Sequence, residues 1–134
     1  MTLENKKLLI QDVMARLPYN TKYQIKDEEN LEPLIIGGHI KINNDYFFNF
    51  IISENQRLDF KDISEFKPCL FPMSSMTEEQ SMEFALLQVN THKEGWLFAS
   101  DCSNMIHWLN KNHFDYRELI SKGLAINATN LNIY

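Results

Sequence analysis

The chain has 134 residues, a formal net charge of −5, 44% hydrophobic and 12% aromatic residues, and two cysteines. That length suits one domain that buries roughly two-thirds of its unfolded surface, and the acidic balance weighs against a nucleic-acid backbone binder, which needs a basic face. Two distant cysteines, Cys69 and Cys102, exclude a disulfide scaffold, and the apolar runs are far too short for a membrane-spanning helix. Residues 1–7 lack the apolar stretch of a signal peptide, so the expected location is the cytoplasm, with reduced thiols.

Residues 3–17 read as a first helix. Leu3, Leu9, Ile10, Val13, Met14 and Leu17 recur at helical spacing, Thr2 is placed to cap it, and Pro18 stops it. Lys6, Lys7, Asp12 and Arg16 fall on the opposite, polar face. The period then changes to two. Tyr19, Thr21, Tyr23 and Ile25 alternate with polar residues as in a half-buried strand. A polar turn is expected over 27–30, then a strand from Leu31 to Ile42, with Pro33 marking an edge or a strand start and Gly37-Gly38 a bulge or sharp bend. Asn43-Asn-Asp45 predicts a hairpin turn. Tyr46 to Ser53 follows as a central strand covered on both faces, and Arg57 to Phe60 as a short fourth.

Residues 67–72 read as stiff connecting chain. An internal seam is expected near 61–76, between a β half and a helical half of one domain spanning 1–134. Thr77-Glu-Glu-Gln80 is a capping box, and Met82, Ala85, Leu86 and Val89 form a helical stripe behind it. A brief extended piece is expected at Trp96 to Phe98. A further helix carries Met105, Ile106, Trp108 and Leu109, capped by Ser100, Asp101 or Ser103. Asp115 and Glu118 have capping-box spacing for a last short helix, which Gly123 would end in a Schellman stop with Leu124 folded back. Asn127 to Tyr134 reads as a polar tail anchored by Leu131, Ile133 and Tyr134. The expected fold is α+β: an N-terminal helix, an antiparallel meander of three or four strands that could curl into a small barrel, and a C-terminal cluster of about three helices.

Three motifs carry a resemblance. They are Ala15-Arg-Leu-Pro-Tyr-Asn-Thr-Lys22, Lys67-Pro-Cys-Leu-Phe-Pro-Met-Ser-Ser-Met-Thr-Glu-Glu-Gln80, and Trp108-Leu-Asn-Lys-Asn-His-Phe-Asp-Tyr-Arg117 with Leu119-Ile120 and Gly123-Leu-Ala-Ile126. In that order they resemble a family of small proteins from phages, prophages and mobile elements of gut bacteria. The chain departs from the family pattern at Asn20 and Glu118, where the pattern has Gly, and at Cys69 and Phe71, where it has Tyr and Arg. The resemblance implies a genomic setting and brings no activity.

Candidate chemistry is sparse. Cys102, His107 and His113, with His92 nearby, are weak metal candidates, because their spacing matches no standard finger. Helix-surface and turn roles are the plainer reading for both histidines. His113, Asp115 and Arg117 could be drawn as a catalytic cluster, but a cap and an ion pair account for the last two more simply. Cys69 beside Pro68 lacks a neighbouring base and reads as a buried thiol. Gly37-Gly38 sits in no phosphate-binding motif. No cofactor and no enzymatic activity are expected.

Two function classes then lead, with a metal-dependent or hydrolytic enzyme as a third, weaker option. The favoured one is a phage or mobile-element accessory protein that binds another protein, with a host defence system as the candidate target and Phe71, Met73, Met76, Ile133 and Tyr134 as contact residues. The alternative is a nucleic-acid binder that uses Tyr19, Lys22, Tyr23, Lys26, Lys41, Tyr46 and Phe47 on a curved sheet. Lysines alternating with apolar residues are also what the wet face of any half-buried strand carries.

Overall fold

Thr2 opens the first helix, α1 (Leu3–Arg16), its hydroxyl accepting the Asn5 amide at 3.1 Å. A single 3-10 turn over Leu17–Tyr19, with Pro18 inside it, ends the helix, and Asn20 takes the left-handed region at φ 55°. Tyr19 therefore lies in this turn rather than in the strand expected there. The computed structural model describes residues 1–28, 31–92 and 99–134, with all their side chains except those of residues 90–92 and 99–102. The expectations for residues 29–30, for Trp96 to Phe98, and for Ser100 and Asp101 as caps fall outside the described residues and side chains.

Four strands follow as an antiparallel meander: β1 (Lys22–Ile25), β2 (Leu34–Ile42), β3 (Asp45–Ser53) and β4 (Gln56–Asp62). Pro33 directly precedes β2. Asn43 and Asn44 both have positive φ, 51° and 70°, which makes the two-residue turn that matches the twist of a hairpin. The register of β2 against β3 shifts between Ile36 and Gly38, so Gly37 is the bulge. A Cβ on Gly37 would stand 2.8 Å from Ile51 Cγ1 and 2.9 Å from an Arg57 guanidinium nitrogen, so any larger residue would force those side chains to shift.

The segment expected as connecting chain is a strand. β5 (Phe66–Pro72) pairs antiparallel with β1 and parallel with two short strands from the C-terminal region, β6 (Phe114–Asp115) and β7 (Ile126–Asn127). The sheet order is β4-β3-β2-β1-β5-β6, with β7 also on β5, and the sheet is open, not closed into a barrel. Two prolines in β5 remove donors and mimic a linker in the sequence. Partners distant in the chain make it a strand.

One face of the sheet holds the core. Phe66 lies at its centre, with ring centroids 5.6 Å from Tyr23, 5.5 Å from Phe48 and 5.0 Å from Phe50. Leu9 and Val13 of α1 cover this cluster and are wholly buried. The opposite face of β3 is not covered as expected: Ile51 is exposed, as is Ile40 on β2.

The helical part contains a 3-10 turn over Met73–Ser75, α2 (Glu78–His92) and α3 (Ala99–Lys111), with α2 lying against α3. Residues 115–122 do not form a helix. The Asp115 carboxylate accepts the amides of Leu119 (2.8 Å) and Ile120 (2.9 Å), four and five residues on, and Glu118 has φ 59°, which no α-helix tolerates. A single turn remains, closed by the expected Schellman pattern. Leu124 N donates to Leu119 O, Gly123 N donates to Ile120 O, and Gly123 has φ 72°. Among the described residues, no helix is long and apolar enough to cross a membrane.

Candidate functional site

The capping box of α2 forms as its sequence predicts: Gln80 N donates to Thr77 Oγ1 at 3.1 Å, and Thr77 N donates to Gln80 Oε1 at 2.9 Å. The face that this helix buries is a different one. Phe84 is half-buried and stacks on Trp108 of α3, centroids 5.5 Å apart, and Trp108 stacks in turn on Phe114 of β6 at 5.7 Å. The Trp108 indole N–H donates to the Glu83 carboxylate at 3.1 Å. This ladder of rings ties α2 to α3 and α3 to the sheet.

The expected core stripe of α2 is therefore turned outward. Met82, Leu86 and Val89 are 63%, 62% and 60% exposed, and Ala85 between them is exposed too. Thr77, Glu78, Glu79, Met82, Glu83 and Leu86 form one open, shallow patch along this face. A stripe at i, i+4, i+7 is what a helix normally buries. The signal that distinguishes the two faces lies in the sequence: α2 also carries Phe84 and Leu87, and the aromatic one has an aromatic ladder to join.

The interaction residues expected from sequence sit elsewhere. Phe71 is half-buried, its ring centroid 5.7 Å from that of Tyr134 and 6.3 Å from that of Phe114. Met73 and Met76 are half-buried around the 3-10 turn that leads into α2. Ile133 and Tyr134 form a clamp on the sheet. The Tyr134 hydroxyl donates to Cys69 O at 2.8 Å and accepts the Lys22 amide at 2.7 Å, while Lys22 Nζ donates to Ile133 O at 2.5 Å. Burial pushes the Tyr134 phenol well above its usual range.

The residues named for nucleic acid are dispersed. Tyr23 is 1% exposed in the core and offers no ring face to a base. The Tyr19 hydroxyl bonds His107 Nδ1 at 2.8 Å, and Lys22 is held by the C-terminal clamp. Lys41 lies over the Tyr46 ring at 5.5 Å, at the hairpin end of β2 and β3. Lys26 is at the far end of β1, and Phe47 is half-buried on β3.

No group of three His, Cys, Asp or Glu among the described residues could hold a metal ion, and the side chains of His92 and Cys102 lie outside those described. His107 and His113 have different partners. His113 stacks on Tyr134 with centroids 3.8 Å apart, and its Nδ1 is 3.4 Å from Thr21 Oγ1. Burial first, then the charges of Arg16 and Lys22, pull its pKa down to about 4. Asp115 caps its turn, and Arg117 bonds Asp12 at 2.7 Å and the Tyr116 hydroxyl at 2.8 Å, so His113, Asp115 and Arg117 have three separate structural roles. Cys69 is buried, and burial pushes its thiol up to about 11, away from thiolate chemistry.

One cluster escaped the sequence reading. Asp12 and Arg16, expected on the polar face of α1, are both 0% exposed. Arg16 Nε donates to both Asp12 oxygens at 2.9 and 3.0 Å, its Nη2 reaches Phe114 O at 2.6 Å, and Arg117 supplies the second cation. The i, i+4 Asp–Arg spacing was visible, but its burial depends on a strand that arrives almost a whole chain later. This ion cluster braces α1 against β6, and it leaves Arg16 Nη1 buried without a hydrogen-bond partner.

Scans against protein-family models, curated proteins and solved structures find no match.

Proposed function

We propose that the protein is a non-enzymatic accessory protein that acts by binding another protein, with the outer face of α2 as the contact. The exposure of Met82, Leu86 and Val89, on a helix whose opposite face is firmly anchored, carries this reading. Each such side chain contributes about 1.5–3 kcal/mol when fully removed from water, so three in line are a substantial driving force for association. Methionine adds an adaptable surface. The phage or mobile-element setting, a bacterial cytoplasm as the place of action and a host defence as the target come from the resemblance of the three motifs alone. Nucleic-acid binding gains no support, because the residues named for it do not share a surface.

The test is capture of partners from bacterial lysate with the tagged chain and with its Leu86→Asp variant, with and without nuclease. A protein held through nuclease treatment and lost with Leu86→Asp is the expected result. Capture that ignores the substitution, or that vanishes with nuclease, would overturn the reading.

A further inference from the structure

We infer that the occupant of the outer face of α2 is a basic amphipathic helix of another protein. This rests on the reading that the outer face of α2 is a docking surface, and it names the partner's chemistry. This face is apolar along its middle and acidic along its flanks: Met82 and Leu86 lie between Glu78, Glu79 and Glu83, and among the described residues no Lys or Arg lines it. The whole of α2 carries no Lys or Arg. A segment with leucine-like residues at helical spacing and lysine or arginine on its flanks matches both features.

A second copy of this chain matches only one. Pairing α2 with α2 in parallel would set the three glutamates against three more. Antiparallel pairing would bury the stripe but bring no cation from either α2 to the acidic flanks, because the helix has none. Of the other helices, α1 has its apolar face committed to the core, and α3 packs through Trp108 on α2 and β6.

The probe is a synthetic peptide of about 18 residues with leucine and lysine at helical spacing, alongside its leucine and glutamate counterpart, titrated against the full chain by fluorescence anisotropy. The lysine peptide should bind saturably and more weakly as salt rises, and the glutamate peptide should not bind. Leu86→Asp separates docking from bulk attraction. It makes the surface more negative, so non-specific attraction would rise, whereas docking should fall by roughly tenfold or more. Glu78→Gln with Glu79→Gln should weaken binding several-fold and flatten the salt dependence. Equal binding of both peptides, with no effect of the glutamine changes, would overturn the charge inference while leaving the docking surface intact. Lysine-peptide binding that survives Leu86→Asp, or no binding at all, would also overturn it; lysate capture that is still lost with Leu86→Asp would then show that the face docks a partner of another kind.

Discussion

Leu9 and Val13 of α1 stand four residues apart in the sequence, as do Met82 and Leu86 of α2. The first pair is at 0% exposure; the second is at 63% and 62%. The same helical spacing thus has opposite fates in one molecule. α1 has one apolar face, and the Phe66 cluster covers it. α2 is apolar on two faces, and the ring ladder of Phe84, Trp108 and Phe114 takes one of them. A hydrophobic stripe says that a surface wants a partner. Whether the partner belongs to the same chain is decided by tertiary structure.

The largest expected effect lies under the covered helix. Asp12→Ala would leave the buried Arg16 guanidinium without its carboxylate and should cost about 3–5 kcal/mol in chemical denaturation. A loss under 1 kcal/mol would mean that water reaches this cluster and that the α1 interface is looser than its burial implies. The direct contrast comes next. Leu9→Ala should cost about 2–5 kcal/mol, whereas Leu86→Ala should change stability by no more than about 0.5 kcal/mol. Similar costs at both sites would erase the comparison and place Leu86 in a core.

Much of the local structure was legible because its causes are local. The Thr2 and Thr77 caps, the Asn43-Asn44 turn, the Gly37 bulge and the Gly123 stop each depend on a few neighbouring residues. β5 was not legible, because Pro68 and Pro72 imitate a linker and its partners β1, β6 and β7 lie far away in sequence. The outer face of α2 was legible as a stripe but not as a surface: Phe84 and Leu87 mark the other face in the sequence, but that Phe84 meets Trp108 depends on the packing of α3 against α2. Asp12 and Arg16 misled for the same reason.

The positive-φ residues sharpen this point on a smaller scale. Asn20 and Glu118 stand where the resembling motifs have Gly, and both have left-handed backbones, φ 55° and 59°. Asparagine tolerates that region and glutamate does not, so Glu118→Gly should stabilise by about 1 kcal/mol. Gly123→Ala should destabilise by about the same amount through backbone strain alone, because a Cβ there meets nothing within 4 Å. Thermal denaturation checks both; a stabilised Gly123→Ala would refute the Schellman account.

The subtlest effect is a pH dependence. His113 has a folded pKa of about 4, below its ordinary 6.5. Its neutral form favours the fold, so its contribution is complete above about pH 6.5 and is lost as pH falls through about 4. His113→Asn keeps a residue suited to φ 61° and removes the titration. Its stability should therefore fall less steeply than the parent's between those pH values. Parallel profiles would show that this ring is solvated and not held by Tyr134.

The placement of β5 has a consequence for how the chain folds. β2, β3 and β4 pair with neighbours in sequence, so this meander can close early, at little loop entropy. β5 must wait. Pro68 pairs with Tyr23, Cys69 with Ile126 and Phe71 with Phe114, so its second edge is satisfied only once residues 114–127 are made. On the ribosome, the nascent chain would carry an open strand edge until β6 and β7 emerge, which makes this the interval most exposed to mispairing. Pulsed hydrogen exchange during refolding should find the Phe48 and Phe50 amides protected before those of Leu70 and Phe71; the reverse order would place β5 in the folding nucleus.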